Sequence, residues 1–238
     1  MERPSDDVPV RAPCYIFDLM GTLVPVPDAG MARSRLEVCA RILGVDEARF
    51  ARAWRDTFAE RNSGAWGTRT EDYLTRLTSF MGVQPGAAAI AAVAEERRRF
   101  ARDTLKLSDE NAAVLAELRS RGHRIGLITV CGTAVGDIWA ELPYRELVDY
   151  ALLSCTTGLV KPAVECYTQT CDQLGVNPAD AWYVGDGAGD ELIGAARAGL
   201  TPILLHSPTS IDAGLAPASW TGRRITSIRE LVELRRSS

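Results

Sequence analysis

Asp18 follows the apolar run Cys14-Tyr15-Ile16-Phe17 and precedes Met20, Gly21 and Thr22, so a carboxylate stands where a strand gives way to a turn. Three further stretches share that arrangement. Thr129 ends Leu127-Ile128-Thr129, Lys161 follows Gly158-Leu159-Val160, and Asp186 and Asp190 follow Val184-Gly185 with glycines between them. Carboxylates act as nucleophiles or hold hard cations, and an ammonium or a hydroxyl holds an anion. Each residue also has a plainer use as a turn, a cap or a solvated side chain. Their common position at the carboxyl ends of strands favours the chemical reading.

The elements that must position these groups are legible from periodicity. Short apolar runs predict strands over 14–17, 125–130, 150–154, 181–185, 202–206 and 224–226. Apolar residues at helical spacing predict helices over 31–43 and 46–61, from Thr70 to about Phe80, and over 86–103. After Ser108, which reads as a helix cap, helices over 134–140, 163–175, 189–198 and 227–235 alternate with the strands. Residues 1–12 read as a polar tail. Alternation of this kind predicts an α/β fold, a Rossmann-like parallel sheet. Because one strand precedes the helical block and the others follow it, the block is predicted to be an inserted all-helical cap over 28–105. The core domain then comprises 1–27 and 106–238. Ligands of such sheets bind beyond the carboxyl ends of the strands, where an insertion leaving the first strand forms a lid.

Composition narrows the function. The chain has 238 residues, 46% hydrophobic and 24% charged, which suffices for a core and excludes general disorder. A net charge of −4 and a pI of about 5.4 argue against nucleic acid as a partner. No apolar run has the ~18 residues of a membrane span, and the polar start resembles no signal peptide, so a cytoplasmic protein is expected. The six cysteines form no C-x-x-C pair and the two histidines are far apart, which disfavours a zinc site or a disulfide scaffold. Among 27 basic residues only Lys106 and Lys161 are lysine, so any catalytic lysine is one of these two.

The four stretches, in this order, resemble the haloacid dehalogenase superfamily, a group dominated by phosphatases. The resemblance runs from about residue 14 to 230 and includes the helical insertion after the first motif. It implies that Asp18 is a nucleophile forming an aspartyl-phosphate, that Thr129 holds the transferring phosphoryl group and that Lys161 offsets its charge. It further implies that Asp18, Asp186, Asp190 and the backbone carbonyl of Met20 hold Mg²⁺, with Gly21 and Thr22 contacting substrate. The acids would otherwise repel one another and the phosphate dianion; the cation and Lys161 compensate. Gly185 and Gly187 allow the backbone to turn closely around the ion.

One position departs from the pattern. Phosphatases of the superfamily carry a second Asp two residues after the nucleophile, as acid and then base; here that residue is Met20. Loss of a positioned acid/base costs on the order of 10²–10⁴ in rate. The resemblance thus leaves three readings: a phosphatase with a good leaving group or another acid, a dehalogenase-like hydrolase, or a silent relative binding a phosphorylated ligand or protein partner. Dehalogenases carry a bulky residue there and a cap arginine for substrate, for which Arg55 is the candidate. They lack a metal, which weighs against them. A Schiff-base route needs a cap lysine, and none precedes Lys106. The insertion also offers Arg49, Arg52, Arg61, Arg69 and Arg97 to Arg99, groups suited to carboxylate or phosphate, and Trp66 in a glycine-flanked loop. The expected partner is a small phosphorylated or anionic metabolite, with the protein a monomer or homodimer.

Overall fold

An unbroken apolar strand is stable only where both faces are covered, and the three central strands here are buried along their whole length. A computed structural model describes residues 14–206 and 220–233; the polar start and the last residues of the helix expected over 227–235 lie outside them. Six strands form one parallel sheet: β1 (Cys14–Phe17), β2 (Ile125–Thr129), β3 (Tyr150–Leu153), β4 (Ala181–Gly185), β5 (Thr201–Leu205) and β6 (Arg223–Ile225). Their order is β3-β2-β1-β4-β5-β6. The predicted strands fall within a residue or so of these bounds. Alternate residues divide between two cores. Tyr15, Phe17, Leu127 and Val184 bury one face with helix α6 (Asp109–Ser120), and Cys14, Ile16, Ile128 and Tyr183 bury the other. The second face packs against α9 (Val164–Leu174) and α10 (Glu191–Arg197).

The position of β1 decides where a ligand can sit. It lies between β2 and β4, and Phe17 is in register with both Leu127 and Val184. The residues that follow, Asp18, Thr129 and Asp186, therefore emerge at one end of the sheet, at its topological switch point.

Between β1 and α6 the chain is helical: α1 (Ala29–Leu43), α2 (Glu47–Asp56), α3 (Phe58–Asn62), α4 (Thr70–Phe80) and α5 (Ala87–Thr104). Asp28 and Asp46 cap α1 and α2 by accepting the Met31 and Arg49 backbone N–H groups at 2.9 and 2.8 Å. Gly44, with φ of 67°, closes α1 in the left-handed conformation that glycine tolerates. These helices build a core from Cys39, Phe50, Tyr73, Leu74, Leu77, Val93 and neighbours, with no sheet residue in it. The helix predicted over 46–61 is broken at Thr57. Its hydroxyl donates to the Ala53 carbonyl at 2.7 Å and lies 2.6 Å from the Tyr73 hydroxyl, a local bond that competes with the helix ladder. Past β2, α7 (Thr133–Ile138) tightens into a 3₁₀ turn at Trp139–Glu141, and α8 (Ser154–Thr157) follows β3. The short α11 (Glu230–Glu233) is the last described element.

Candidate active site

Asp18 and Lys161 arrive from different elements and meet at the carboxyl end of β1. Lys161 Nζ donates to Asp18 Oδ1 at 2.5 Å, to Glu191 Oε2 at 2.5 Å and to the Tyr183 hydroxyl at 3.0 Å. The Tyr183 hydroxyl itself donates to Glu191 Oε2 at 2.7 Å. All three charged side chains are at most 8% exposed. A buried charge is tolerated only when it is paired, and here one ammonium serves two carboxylates.

The electrostatics follow from that shortage of positive charge. Burial pushes the Asp18 carboxyl up to about 7; the Lys161 ammonium pulls it down, and Glu191 and Asp186 add to the rise. Burial works against the Lys161 ammonium too, but Asp18 and Glu191 outweigh it and hold its proton above the usual lysine range. Burial also raises Asp186, against the Ala188 N–H that its Oδ1 accepts at 3.0 Å. The carboxylate oxygens of Asp18, Asp186 and Glu191 lie within 4.8 Å of one another. Three such oxygens are a hard-donor set that fits a divalent cation such as Mg²⁺, with Asp186 the member that Lys161 does not bond.

The loops are shaped to bring these oxygens in. Gly21 has φ of 85°, and a Cβ there would overlap Asp186 Oδ2, so the backbone after Asp18 passes directly beside that carboxylate. A Cβ on Gly185 would overlap Glu191 Oε1, which instead accepts the Gly187 N–H at 2.9 Å.

The sequence candidates are distributed as follows. Thr129 is buried at the end of β2, and Met20 is half-buried beside Asp18. The Thr22 hydroxyl is buried without a hydrogen-bond partner. Asp190 lies outside the carboxylate cluster: its φ of 58° puts it on the exposed outer side of the turn, and Glu191 occupies the place foreseen for it. The adjacent acids Asp190-Glu191 were the only signal for this, and a one-residue choice depends on left-handed turns at Gly187, Gly189 and Asp190. Arg55 is exposed and absent from the adjoining cavity. Trp66 packs against Tyr73 and Phe80. Tyr183 was unremarked because a strand tyrosine carries no functional mark.

A cavity of about 240 Å³ lies between the helical insertion and the sheet end. Met20, Cys131, Gly132 and Thr133 line it from below, and Trp54, Phe58, Arg61 and Arg97 line it from the helices.

Residues 13–199 match the family model of the haloacid dehalogenase-like hydrolases. Two glyceraldehyde 3-phosphate phosphatases align with the chain. That of Methanopyrus kandleri is 31% identical over 52% of this chain and 52% of its own length, so this chain spans about half of that relative. That of Methanothermobacter thermautotrophicus is 24% identical over 76% and 78%. Among solved structures, a 2-haloacid dehalogenase from Pseudomonas syringae superposes with a TM-score of 0.66 at 20% identity, covering 93% and 96% of the two chains. A haloacid dehalogenase family enzyme from Bacteroides thetaiotaomicron, solved with magnesium and inorganic phosphate, gives 0.61 at 15% identity over 82% and 94%. At these identities the structural likeness establishes the fold.

Proposed function

Because the chain belongs to the haloacid dehalogenase-like hydrolases, we propose that it is a Mg²⁺-dependent phosphatase acting through Asp18 on a small phosphorylated metabolite. The observation that carries this reading is the Asp18–Lys161 pair set against the Asp18, Asp186 and Glu191 oxygens. An excess of carboxylate over ammonium in a buried site calls for a cation, and only with that cation in place can the site accept a phosphate dianion beside Asp18. The aligned phosphatases support it from outside.

In this mechanism an Asp18 carboxylate oxygen attacks phosphorus as the bond from phosphorus to the ester oxygen breaks. Lys161 and the buried Thr129 would hold the phosphoryl oxygens. Asp18, Asp186, Glu191 and the Met20 carbonyl would hold the cation, which supplies charge neutralisation between nucleophile and phosphoryl group. The departing oxygen takes its proton from water, since Met20 has none to give. Water then attacks phosphorus, the phosphorus–Asp18 bond breaks, and phosphate and the free carboxylate result, with a proton released to solvent. Leaving groups that are stable as anions should react fastest.

The side chain of Met20 also favours a second reading, a dehalogenase-like displacement, because halide leaves unprotonated. That chemistry would also use Asp18 as nucleophile but needs no cation, so a cluster of three carboxylates weighs against it. Initial rates on an aryl phosphate, an alkyl phosphate and a 2-haloacid, with Mg²⁺ and with EDTA, separate the two. We expect Mg²⁺-dependent turnover of the aryl ester, at least ~10²-fold above the alkyl ester. Haloacid turnover unaffected by EDTA, with no phosphate release, would reverse the assignment. The helical insertion is proposed to act as the cap. Among the described residues no helix is long and apolar enough to cross a membrane, and a cytoplasmic site of action fits that reading.

A further inference from the structure

The cavity above the site is lined by two arginines that form no close ion pair; Glu60, with a buried unpartnered Oε2, acts on Arg61 only from beyond that range. Arg61 is 8% exposed, and its guanidinium donates to the Trp54 carbonyl at 2.7 Å and to the Tyr73 hydroxyl at 3.3 Å. Arg97 Nε is buried with no hydrogen-bond partner. The two guanidinium carbons lie 4.2 and 4.7 Å from the Trp54 ring centroid, so both cations crowd one indole. Among the described residues, no ion pair within 4.0 Å joins either arginine to a carboxylate. The nearest acid in sequence to Arg97, Glu96, is committed to Arg35 at 2.7 Å and Arg99 at 3.6 Å. Burial draws both guanidinium groups below the usual arginine range; for Arg97 the Arg61 charge adds to that fall, against the Cys39 thiol and Glu96. Most other arginines of the insertion are exposed or paired, so this pair is a deliberate expense of charge in a confined space.

The cavity is joined to the chemistry from two sides. Met20, two residues beyond Asp18, lines its floor, as does the Cys131-Gly132-Thr133 turn that follows Thr129. A Cβ on Gly132 would meet the Arg61 side chain at 3.3 Å, so that turn and the arginine are in close contact. The remaining walls are mostly apolar, with Phe58, Phe100 and Leu105, and Asn62, Thr70 and Thr104 as the polar side chains among them. A ligand held at Asp18 by its phosphoryl group and extending into this cavity meets planar cationic forks in apolar surroundings.

We infer that Arg61 and Arg97, stacked about Trp54, form a second anion subsite that selects small phosphomonoesters bearing a carboxylate at the end remote from the phosphate. This rests on the phosphatase reading for the identity of the first group, and it goes beyond the relatives' named substrate, whose remote end is an aldehyde. A guanidinium fork matches a planar carboxylate bidentately and, desolvated, discriminates strongly against a neutral group of similar size.

The test pairs 3-phosphoglycerate with glycerol 3-phosphate, which share the three-carbon ester and differ in carboxylate against hydroxymethyl. Phosphate release with Mg²⁺ is measured for the wild type, Arg97→Met and Arg97→Lys. Binding of both esters to Asp18→Asn protein with Mg²⁺ is measured by calorimetry. The wild type should favour the carboxylate ester by at least ~30-fold in kcat/KM, mostly through KM. Arg97→Met should shrink that preference at least tenfold and Arg97→Lys should restore part of it, an outcome that a purely structural arginine would not produce. Equal kcat/KM on the two esters, or a preference that survives Arg97→Met, would overturn the subsite and leave the phosphatase reading intact. Selective binding of the carboxylate ester without turnover would overturn the phosphatase reading and retain the subsite. If Arg97→Met does not fold, the wild-type preference and Arg97→Lys still decide.

Discussion

Lys161 is the cation on which two buried carboxylates depend. Its removal in Lys161→Met leaves Asp18 and Glu191 facing each other without a counter-charge, since both are nearly inaccessible. Breaking a buried pair by deleting one partner costs about 3–5 kcal/mol. Urea unfolding in EDTA should therefore show a loss of that order, together with loss of turnover; unchanged stability would mean that the site is more hydrated than its geometry indicates. Gly21 gives a different expectation. Alanine there must adopt φ of 85° and place its Cβ against Asp186 Oδ2. The fold should survive, at a cost of about 1–2 kcal/mol for the left-handed alanine, but the Mg²⁺ concentration for half-maximal rate should rise at least tenfold. A Gly21→Ala protein with wild-type Mg²⁺ dependence would remove Asp186 from the proposed ligand set. At this scale the sequence is most informative where a residue type is rare, as at Lys161, and least where several alike compete. Arg55, Arg61 and Arg97 cannot be ranked from periodicity, because the break at Thr57 resets the helical phase before Arg61.

The inner strands were legible because each is an apolar run that stops near a glycine or a polar residue, as parallel sheets require; the edge strand β6, Arg223-Arg224-Ile225, is not such a run. Helices with good caps, such as that begun by Asp46, were equally plain at their starts. What could not be read is what distant residues impose. The Tyr73 hydroxyl meets Thr57 from sixteen residues away, and no local pattern announces it. The same holds for the joint between the helical insertion and the sheet domain. Arg98 on α5 bonds Asp137 on α7 at 3.1 Å and Glu71 at 2.9 Å, while Asp137 also accepts the Thr70 N–H at 3.3 Å. Thr70 and Thr133 are joined through their hydroxyls at 3.1 Å. This joint holds the cavity's upper wall over its floor. Asp137→Ala should destabilise the protein by about 1–2 kcal/mol and raise KM more than it lowers kcat, because the reacting groups lie elsewhere. A fall in kcat alone, at unchanged KM, would assign α7 a different task.

Across the whole molecule, the cysteines are buried throughout: Cys14, Cys39, Cys131, Cys155, Cys166 and Cys171 are all inaccessible. Burial pushes the Cys14 thiol up to about 12 and those of Cys39, Cys166 and Cys171 up to about 11, so thiolate is scarce at neutral pH. Native protein at pH 8 should react slowly with an alkylating reagent, and denatured protein should present all six thiols. Rapid labelling of several thiols in the native state would show that the two sheet cores open readily. The spacing of the cysteines in the sequence had argued only against a zinc site or a disulfide scaffold. The architecture likewise follows from a single break in the pattern, a helical block after the first strand; the charge balance beneath it required the three-dimensional meeting of β1, β4, α10 and the Lys161 loop. The most direct test of the account is acid-quenched protein taken during turnover of an aryl phosphate with Mg²⁺, followed by peptide mass spectrometry. The account expects a phosphoryl adduct on Asp18 that is absent in EDTA; turnover with the adduct on another residue, or with none on Asp18, would contradict it.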